Sequence, residues 1–311
     1  TRGATPYLDA TIAAVHAQQH APDRLLVVDV VRDADRRARL APASDDAPPT
    51  VLVHAPRATS FGAAVRAGLA HLADLGSAPA PSPSGWLWLL HDDATPEPEA
   101  LEALVRAVEH APSVVLAGAK QVEPGDRRRL VEIGLTTSPA GRRMTSVEPG
   151  EIDQGQHDGR VDVLGVGLAG ALARLDVWTA LDGPDPEYGN VGDGLELSRR
   201  ARLAGHRVVV VPGAVVAHAR ATHLDLRRRE SDPEHEPDEE RSFAARRRAE
   251  LWYRLTGAPT GLVWLHLVVV ALLAVPRALW QLGAKRARRA RAEITAAAWA
   301  VLRPVALWRS R

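Results

Sequence analysis

The sequence predicts an α/β fold, with a mostly parallel sheet and helices on both of its faces. Short apolar runs, such as residues 25–30 and 86–90, have the length of buried strands. Between such runs, apolar residues recur at helical spacing, as Leu101, Leu104 and Val108 do. Strands that alternate with helices build parallel sheets, in which ligands bind at the carboxyl ends of the strands.

The expected elements follow one another along the chain as far as residue 218. Strands are expected at residues 25–30, 51–53, 86–90, 114–116, 161–164 and 208–211. Helices are expected at residues 8–15, 61–69, 101–108 and 195–203. Polar residues that follow the apolar runs are therefore the candidates for a functional site.

The composition excludes several classes of protein. The 311 residues are 46% hydrophobic and 25% charged, which suits a folded protein with a substantial core. There is no cysteine, so disulfides and thiolate metal sites are excluded. The formal net charge is +1 and the arginine clusters lack interleaved aromatic residues, so we expect no binding to nucleic acid.

Two adjacent acids follow the apolar run at residues 86–90. Asp92 and Asp93 come after His91, at the carboxyl end of this expected strand. Carboxylates at this position suit a hard divalent cation, which can also bridge to a diphosphate. The alternative is that the two aspartates cap a helix that starts near Glu97.

A histidine also follows an expected strand. His218 lies beyond the run at residues 208–211, and Asp29 lies near the end of the run at residues 25–30. A lone histidine is more often structural than a ligand. Because the carboxyl ends of parallel strands meet at one edge of a sheet, we nevertheless expect Asp29, Asp93 and His218 to converge there.

A second pair of acids, Asp193 and Glu196, accompanies the helix expected at residues 195–203. Carboxylates near a helix N-terminus are stabilised by the helix dipole, so one alternative is a capping box with Asp193 as the N-cap. The other alternative is that one of the two acids is a general base. The sequence pattern leaves both open.

A glycine motif lies between these signals. Residues 165–170 match G-x-G-x-x-G, which binds dinucleotides when it joins a strand to a helix, as in nicotinamide-dependent oxidoreductases. The motif follows the expected strand at residues 161–164, but residues 182–193 are expected to form a loop where the next strand should come. The alternative is that small residues here let the backbone approach a ligand closely.

The chain changes character after a dense charged stretch at residues 227–240, which predicts a linker. Residues 261–282 are nearly as apolar and as long as the ~20 residues of a membrane span, but Pro276 and Arg277 interrupt them. Basic clusters lie on both sides, and five of the eight tryptophans fall in this tail. We expect an interfacial or re-entrant helix pair that binds membrane lipids at the cytoplasmic face of a bacterial plasma membrane. The alternative is a helical hairpin packed on the rest of the chain.

The order of these motifs resembles that of family 2 glycosyltransferases, which have the GT-A fold, and the similarity spans about residues 1–221. The resemblance rests on LLVVD at 25–29, FGAAVRAG at 61–68, LHDD at 90–93, AGALAR at 169–174, DGLELSRR at 193–200, AGHR at 204–207 and PGAVVAH at 212–218. The segment GEIDQGQHD at 150–158 is similar to one in actinobacterial members that continue into membrane helices.

The resemblance implies roles for single residues. Those expected to hold a divalent cation, Mn²⁺ or Mg²⁺, are Asp93, His218 and His91. Those expected to contact the donor nucleotide are Asp29, Asp92, Gly167 and Gly170. The expected catalytic base is Asp193 or Glu196. Those expected on the acceptor side are Gln156 and His157.

The activity that the resemblance implies is transfer of a sugar from a nucleotide-diphosphate donor to a lipid-linked or cell-envelope glycan acceptor, by an inverting single displacement. Three departures from the family pattern stand out. The first strand of the fold is expected before Thr1, His91 replaces the first aspartate of the metal motif, and Gly194 stands where many members have the base. The last two motivate the alternative of a non-catalytic sugar-nucleotide-binding or scaffolding domain.

The expected division has three parts. These are a catalytic domain at residues 1–225, a charged linker at 226–248 and a membrane-associated helical segment at 249–311.

Overall fold

A computed structural model of the chain describes residues 1–41, 47–76, 84–145, 147–228, 238 and 240–311. The helices are α1 (Leu8–His16), α2 (Phe61–Asp74), α3 (Ala100–Glu109), α4 (Leu175–Ala180), α5 (Gly189–Leu203), α6 (Glu240–Gly257), α7 (Val263–Gly283), α8 (Ala287–Val301) and α9 (Pro304–Arg309). The strands are β1 (Leu25–Asp29), β2 (Thr50–His54), β3 (Trp86–Leu89), β4 (Ala94–Pro96), β5 (Val114–Glu123), β6 (Asp126–Glu132), β7 (Thr136–Thr137), β8 (Arg143–Met144), β9 (Ala171–Arg174) and β10 (Arg207–His218).

The central sheet confirms the predicted α/β class but is mixed rather than mostly parallel. Five strands follow the order β3-β9-β5-β10-β4, and β6 pairs with β5. The β5 and β10 strands are parallel, whereas β9, β4 and β6 are antiparallel to the strands beside them. Residues 161–164, where a strand is expected, form only an isolated β-bridge, between Asp162 and Val209. The β1 and β2 strands form a separate parallel pair.

Two apolar clusters of the sheet domain share the buried strand β5. Helix α3 shows why the sequence folds this way, because Leu101, Leu104 and Val108 are buried on one face as their spacing predicts. The other cluster contains Trp178 and Leu197. Burying each such side chain contributes roughly 1.5–3 kcal/mol, which is enough to hold the helices on the sheet.

One strand pairing positions the functional residues. Strand β4 pairs antiparallel with β10, so that Ala94 lies opposite His218. The turn that contains His91, Asp92 and Asp93 comes directly before β4. The pairing therefore brings His218 beside this turn although the two are far apart in the sequence.

Helix α5 starts earlier than the sequence pattern indicates. It begins at Gly189 rather than near Leu195, so Asp193 lies inside the helix and is not its N-cap. The predicted capping box is therefore wrong. The helix that was expected near Glu97 likewise begins only at Ala100, after β4, so Asp92 and Asp93 do not cap it.

The glycine motif does not join a strand to a helix. Gly170 leads directly into strand β9, at φ +93°, a conformation that favours glycine. A Cβ at this position would lie 2.8 Å from Cγ2 of Val216. The dinucleotide alternative is therefore wrong, because the motif is followed by strand β9 and not by a helix, and Gly170 serves close packing in the sheet.

The C-terminal helices pack partly against the sheet domain. In α6, Trp252 and Leu255 are fully buried in a third cluster that also includes Tyr188 and residues of α8. Residues 229–237 and 239 of the predicted linker lie outside the described residues, and α6 already begins at Glu240. The division of the chain into three parts remains a prediction.

Helix α7 is continuous through Pro276, contrary to the expected interruption. Among the described residues, one helical stretch, Thr260–Gly283, is long and apolar enough to cross a membrane by length and composition. One face of α7 contributes Val270 and Ala274 to the third cluster. The side chains of Leu272 and Trp280 on this helix are exposed.

Candidate active site

A cleft of about 2100 Å³ lies at the carboxyl end of β3 and extends to the C-terminal helices. Its walls come from the loop after β1, the turn after β3, helix α5, the end of β10 and helices α6 to α8. Twelve arginines and nine carboxylates are among the lining residues, so the side chains at its surface suit a polyanionic ligand.

His91, Asp93 and His218 form a cluster in this cleft. One ligand atom from each lies within 4.8 Å of the other two. Nε2 of His218 is 3.4 Å from Oδ1 of Asp93, and Nδ1 of His218 hydrogen-bonds to Gln121, at 2.8 Å from Oε1. A proton on Nδ1 leaves Nε2 with a free lone pair, so Gln121 orients the ring for ligation. The predicted meeting of Asp93 with His218 is confirmed.

The protonation states of the cluster suit a cation. Burial lowers the pKa of His91 to about 4, with His218 adding to the effect, so the imidazole is neutral near pH 7. Nε2 of His91 is buried and has no hydrogen-bond partner in the described part of the chain. Burial alone would raise the pKa of Asp93, but the hydrogen bond with His218 and that from the Ala221 N–H hold it below its ordinary value. Two imidazole nitrogens and one carboxylate fit a divalent transition metal.

Asp193 lies on the wall of the same cleft, from helix α5. Its Oδ1 accepts a hydrogen bond from the Gly194 N–H at 2.8 Å, and its Oδ2 is buried with no partner among the described residues. Burial raises the pKa of Asp193 to about 6. A carboxylate with this pKa is ionised at pH 7 and still basic enough to take a proton from a hydroxyl group during its attack.

Close packing explains why residue 194 is a glycine. A Cβ at this position would lie 2.3 Å from the carbonyl oxygen of Val166 and 3.1 Å from Cα of Gly167. No side chain fits there without a shift of the backbone. The neighbouring Asp193 faces the cleft instead.

Glu196, the other candidate base, does not line the cleft. Its Oε2 accepts hydrogen bonds from the Asp185 N–H and from Nη2 of Arg200, both at 2.9 Å. Arg200 also donates to the carbonyl oxygens of Leu181 and Gly183. Glu196 thus anchors the loop before α5, and this role does not leave it available as a base.

Asp29 is fully buried and is absent from the lining of the cleft. Its two oxygens accept hydrogen bonds from the backbone N–H groups of Gly3, Val31 and Ala38, at 2.8 to 3.0 Å. The carboxylate therefore orders the loop after β1 and does not reach a ligand in the cleft. The predicted convergence of Asp29 with the metal cluster is not what the structure has.

Asp92 does line the cleft, and its partner is an arginine. Arg227 binds it through both terminal nitrogens, and the hydroxyl of Thr1 donates to it at 2.9 Å. Burial opposes ionisation of Asp92, but Arg227 outweighs burial and the pKa lies below its ordinary value. The carboxylate holds the guanidinium group of Arg227 at the cleft wall.

The remaining residues predicted for the donor and acceptor sides differ in whether they line the cleft. Gly167 lines the cleft, and its N–H donates to Oε1 of Glu132 at 2.7 Å, whereas Gly170 does not line it. Gln156 and His157 also lie outside the lining, where both bond to the carboxylate of Glu151. The predicted acceptor contacts of Gln156 and His157 therefore have no counterpart in the geometry of the cleft.

Sequence reasoning missed three residues of the site, namely Gln121, Glu132 and Arg143. Glu132 is buried, pairs with Arg143 and accepts the Gly167 N–H, while Arg143 lowers the pKa of the nearby Asp193 against the effect of burial. The alternation in β6 that buries Leu130 could have indicated that Glu132 also faces inward. Arg143 lies in a two-residue strand that gives no pattern.

Comparisons with known proteins identify the family of the chain. A family model described as glycosyltransferase like family 2 matches residues 1–232. No curated protein matches the chain, while 55 chains of solved structures do. One of these is a crystal structure of GalNAc-T7 with UDP, GalNAc and Mn²⁺, which is 9% identical, with a TM-score of 0.43, over 63% of this chain and 37% of that chain. The family match covers most of the chain, and the protein therefore belongs to glycosyltransferase family 2.

Proposed function

We propose that the protein transfers a sugar from a nucleotide-diphosphate donor to an acceptor hydroxyl, at the cleft that holds His91, Asp93, His218 and Asp193. One observation carries the proposal. A cluster suited to a divalent cation and a carboxylate with a raised pKa line the same cleft, on different elements of the fold. This is the pairing that displacement of a diphosphate by a hydroxyl group requires.

Each group has a defined part in the reaction. A divalent cation held by His91, Asp93 and His218 would neutralise charge on the diphosphate, and the two histidine nitrogens favour Mn²⁺ over Mg²⁺, which prefers oxygen ligands. Asp193 takes the proton from the acceptor hydroxyl. At the same time the hydroxyl oxygen bonds to the anomeric carbon, and the bond between that carbon and the diphosphate breaks. A single displacement of this kind inverts the anomeric configuration.

The donor side of the proposal involves direct and indirect contacts. Asp92, through Arg227, and the backbone at Gly167 would contact the donor. Asp29 and Gly170 would act indirectly, because they hold the loop after β1 and the start of β9 in place.

The acceptor in this proposal is a lipid-linked or cell-envelope glycan, which assigns the protein to polysaccharide biosynthesis at the cytoplasmic face of a bacterial plasma membrane. The exposed apolar side chains of α7 support this placement, with tryptophans at both ends of the helix. Basic residues flank α7 on both sides, as cytoplasmic segments near anionic lipid do.

The alternative of a non-catalytic domain rested on Gly194 and His91. The packing of Gly194 against Val166 and the position of Asp193 in the cleft remove the first reason. His91 contributes a nitrogen ligand to the cation cluster in place of a carboxylate, which removes the second reason. Binding of nucleotide without turnover of any sugar nucleotide would restore this alternative.

A thermal-shift screen tests the proposal. The full chain is heated with each common nucleoside diphosphate, with and without Mn²⁺, and the matching nucleotide sugar is then assayed for transfer. We expect one base to raise Tm more with Mn²⁺ than without it. His218→Ala should lose the increment due to Mn²⁺, whereas His110→Ala, at an exposed histidine after α3, should keep it. Absence of stabilisation by every nucleoside diphosphate with Mn²⁺ would contradict the proposal.

A further inference from the structure

The C-terminal wall of the cleft contains a second cluster of polar side chains, separate from the cation cluster. Helix α7 contributes Arg277 and Gln281, one turn apart, and α8 contributes Arg289. From α6, Arg247 completes the group. All four residues belong to helices that the proposed sugar transfer does not use.

The charges in this cluster are unequally paired. Arg247 binds Glu250 at 2.7 Å and Glu293 at 2.9 Å, so its charge is matched by two carboxylates. Arg289 binds Glu240 at 3.0 Å. Arg277 makes no hydrogen bond or ion pair with the residues that the structure describes, although it lines the cleft.

Buried polar atoms without partners accompany Arg277. Oε1 of Gln281 and Nε of Arg289 are both buried, and neither has a hydrogen-bond partner within the described ranges. Burial lowers the pKa of Arg277, and repulsion from Arg247 adds to the effect. Unsatisfied polar atoms and a cation in an unfavourable environment are costly unless a ligand completes them.

This cluster lines the same cleft as the proposed base, Asp193. Helix α6 meets α5 so closely that a Cβ at Gly192, next to Asp193, would lie 3.1 Å from Cβ of Ala249. The diphosphate of the donor is assigned to the cation cluster on the sheet. A ligand bound by α7 and α8 would therefore occupy a part of the same cleft that the donor diphosphate leaves free.

We propose that Arg277, Gln281 and Arg289 form a subsite for a phosphate group carried by the acceptor. Guanidinium groups donate paired hydrogen bonds that match phosphate oxygens, and the amide of Gln281 can accept from a hydroxyl group or donate after rotation. The inference rests on the proposed sugar transfer and specifies its acceptor as an anionic compound.

Calorimetric titration of the full chain tests the subsite, with Mn²⁺ and the stabilising nucleoside diphosphate at saturation so that the donor side is filled. The probes are a short-chain prenyl phosphate, inorganic phosphate and the uncharged prenol. Arg277→Gln should weaken binding of the phosphate-bearing probes about tenfold, the effect of losing a charged hydrogen bond. Arg291→Gln, at an exposed arginine of α8 outside the cleft lining, is the matched control and should change nothing.

Tighter binding of prenyl phosphate than of inorganic phosphate assigns the group to a lipid acceptor, and equal binding assigns it to a phosphate without a lipid. Both outcomes support the subsite if Arg277→Gln weakens binding of the phosphate-bearing probes and Arg291→Gln does not. Equal affinity in wild type and Arg277→Gln, or an equal loss in both variants, overturns it. Nucleotide binding with Mn²⁺ is measured in the same samples, so that failure of the subsite is distinguished from failure of the proposed sugar transfer.

Discussion

Strand β5 and helix α7 both contain long apolar runs, but the run in β5 is buried whereas much of the run in α7 is exposed. Nine residues of β5, from Val114 to Val122, are buried between the two clusters of the sheet domain. In α7, Leu272 is 69% exposed and Trp280 is 78% exposed. The apolar residues of β5 are covered by the sheet domain itself, whereas the outer face of α7 is exposed in the described part of the chain. The proposed membrane contact rests on this exposed face.

The largest effect is expected at Asp193, in the cleft lined by both the sheet domain and the C-terminal helices. Asp193→Asn should lower kcat for sugar transfer by about 10² to 10⁴, the usual contribution of general base catalysis, with nucleotide binding unchanged. Glu196→Gln should affect kcat far less, because Glu196 lies outside the cleft and binds Arg200. Steady-state kinetics of both variants measure this. The reverse result, with only Glu196→Gln inactive, would reassign the base.

A matched pair of leucines sharpens the contrast between β5 and α7. Leu172 in β9 packs against β5 and is 2% exposed, and Leu272 is the exposed counterpart. Leu172→Ala should reduce the free energy of unfolding by about 2–5 kcal/mol. Leu272→Ala should change it by no more than about 0.5 kcal/mol in lipid-free solution. Chemical denaturation measures both values, and equal losses would mean that α7 is buried in an assembly.

The buried carboxylate of Asp193 should also cost stability. Its pKa is raised from 3.8 to about 6, so the ionised form is disfavoured in the fold above pH 6 and the penalty is absent below pH 4. Asp193→Asn should therefore stabilise the protein at pH 8, by as much as about 3 kcal/mol, and not at pH 4. Denaturation at both pH values checks this. A variant that is less stable at pH 8 would show that the carboxylate is satisfied by groups that the structure does not describe.

The smallest effect is expected in membrane binding. Replacing Leu272 and Trp280 together by glutamine should reduce flotation with anionic liposomes about tenfold. The reason is that each replacement removes apolar surface that would insert into the bilayer. Leu203→Gln, at a leucine of α5 that is 74% exposed, is the control on the sheet domain. Equal flotation of the double variant and wild type would place membrane contact elsewhere.

The sequence predicts the elements that are marked by continuous apolar patterns. The strands at β1, β3 and β10 and the buried face of α3 follow from such patterns, and the meeting of Asp93 with His218 follows from where the strands end. Short strands without a pattern, such as β4 and β9, were not predicted. The antiparallel pairing of β4 with β10 is nevertheless the contact that brings His218 to the metal turn.

The start of α5 could not be predicted because its reason is tertiary. Residues 189–194 contain three glycines and have low helix propensity, yet the backbone of Val166 leaves no room for a side chain at Gly194, and Gly192 packs closely against Ala249. Asp193 lines the cleft, whereas Glu196 is held by Arg200 and by the backbone N–H of Asp185. Local sequence gives two acids at helical spacing and no means of choosing between them.

The pH dependence of sugar transfer tests most directly whether Asp193 is the base in this cleft. The account predicts that kcat/KM of the wild type falls tenfold per pH unit below about pH 6, because the base must be ionised. In Asp193→Asn, the residual rate should lose this inflection while Mn²⁺-dependent nucleotide binding persists. An inflection near pH 6 that remains unchanged in Asp193→Asn would contradict the account.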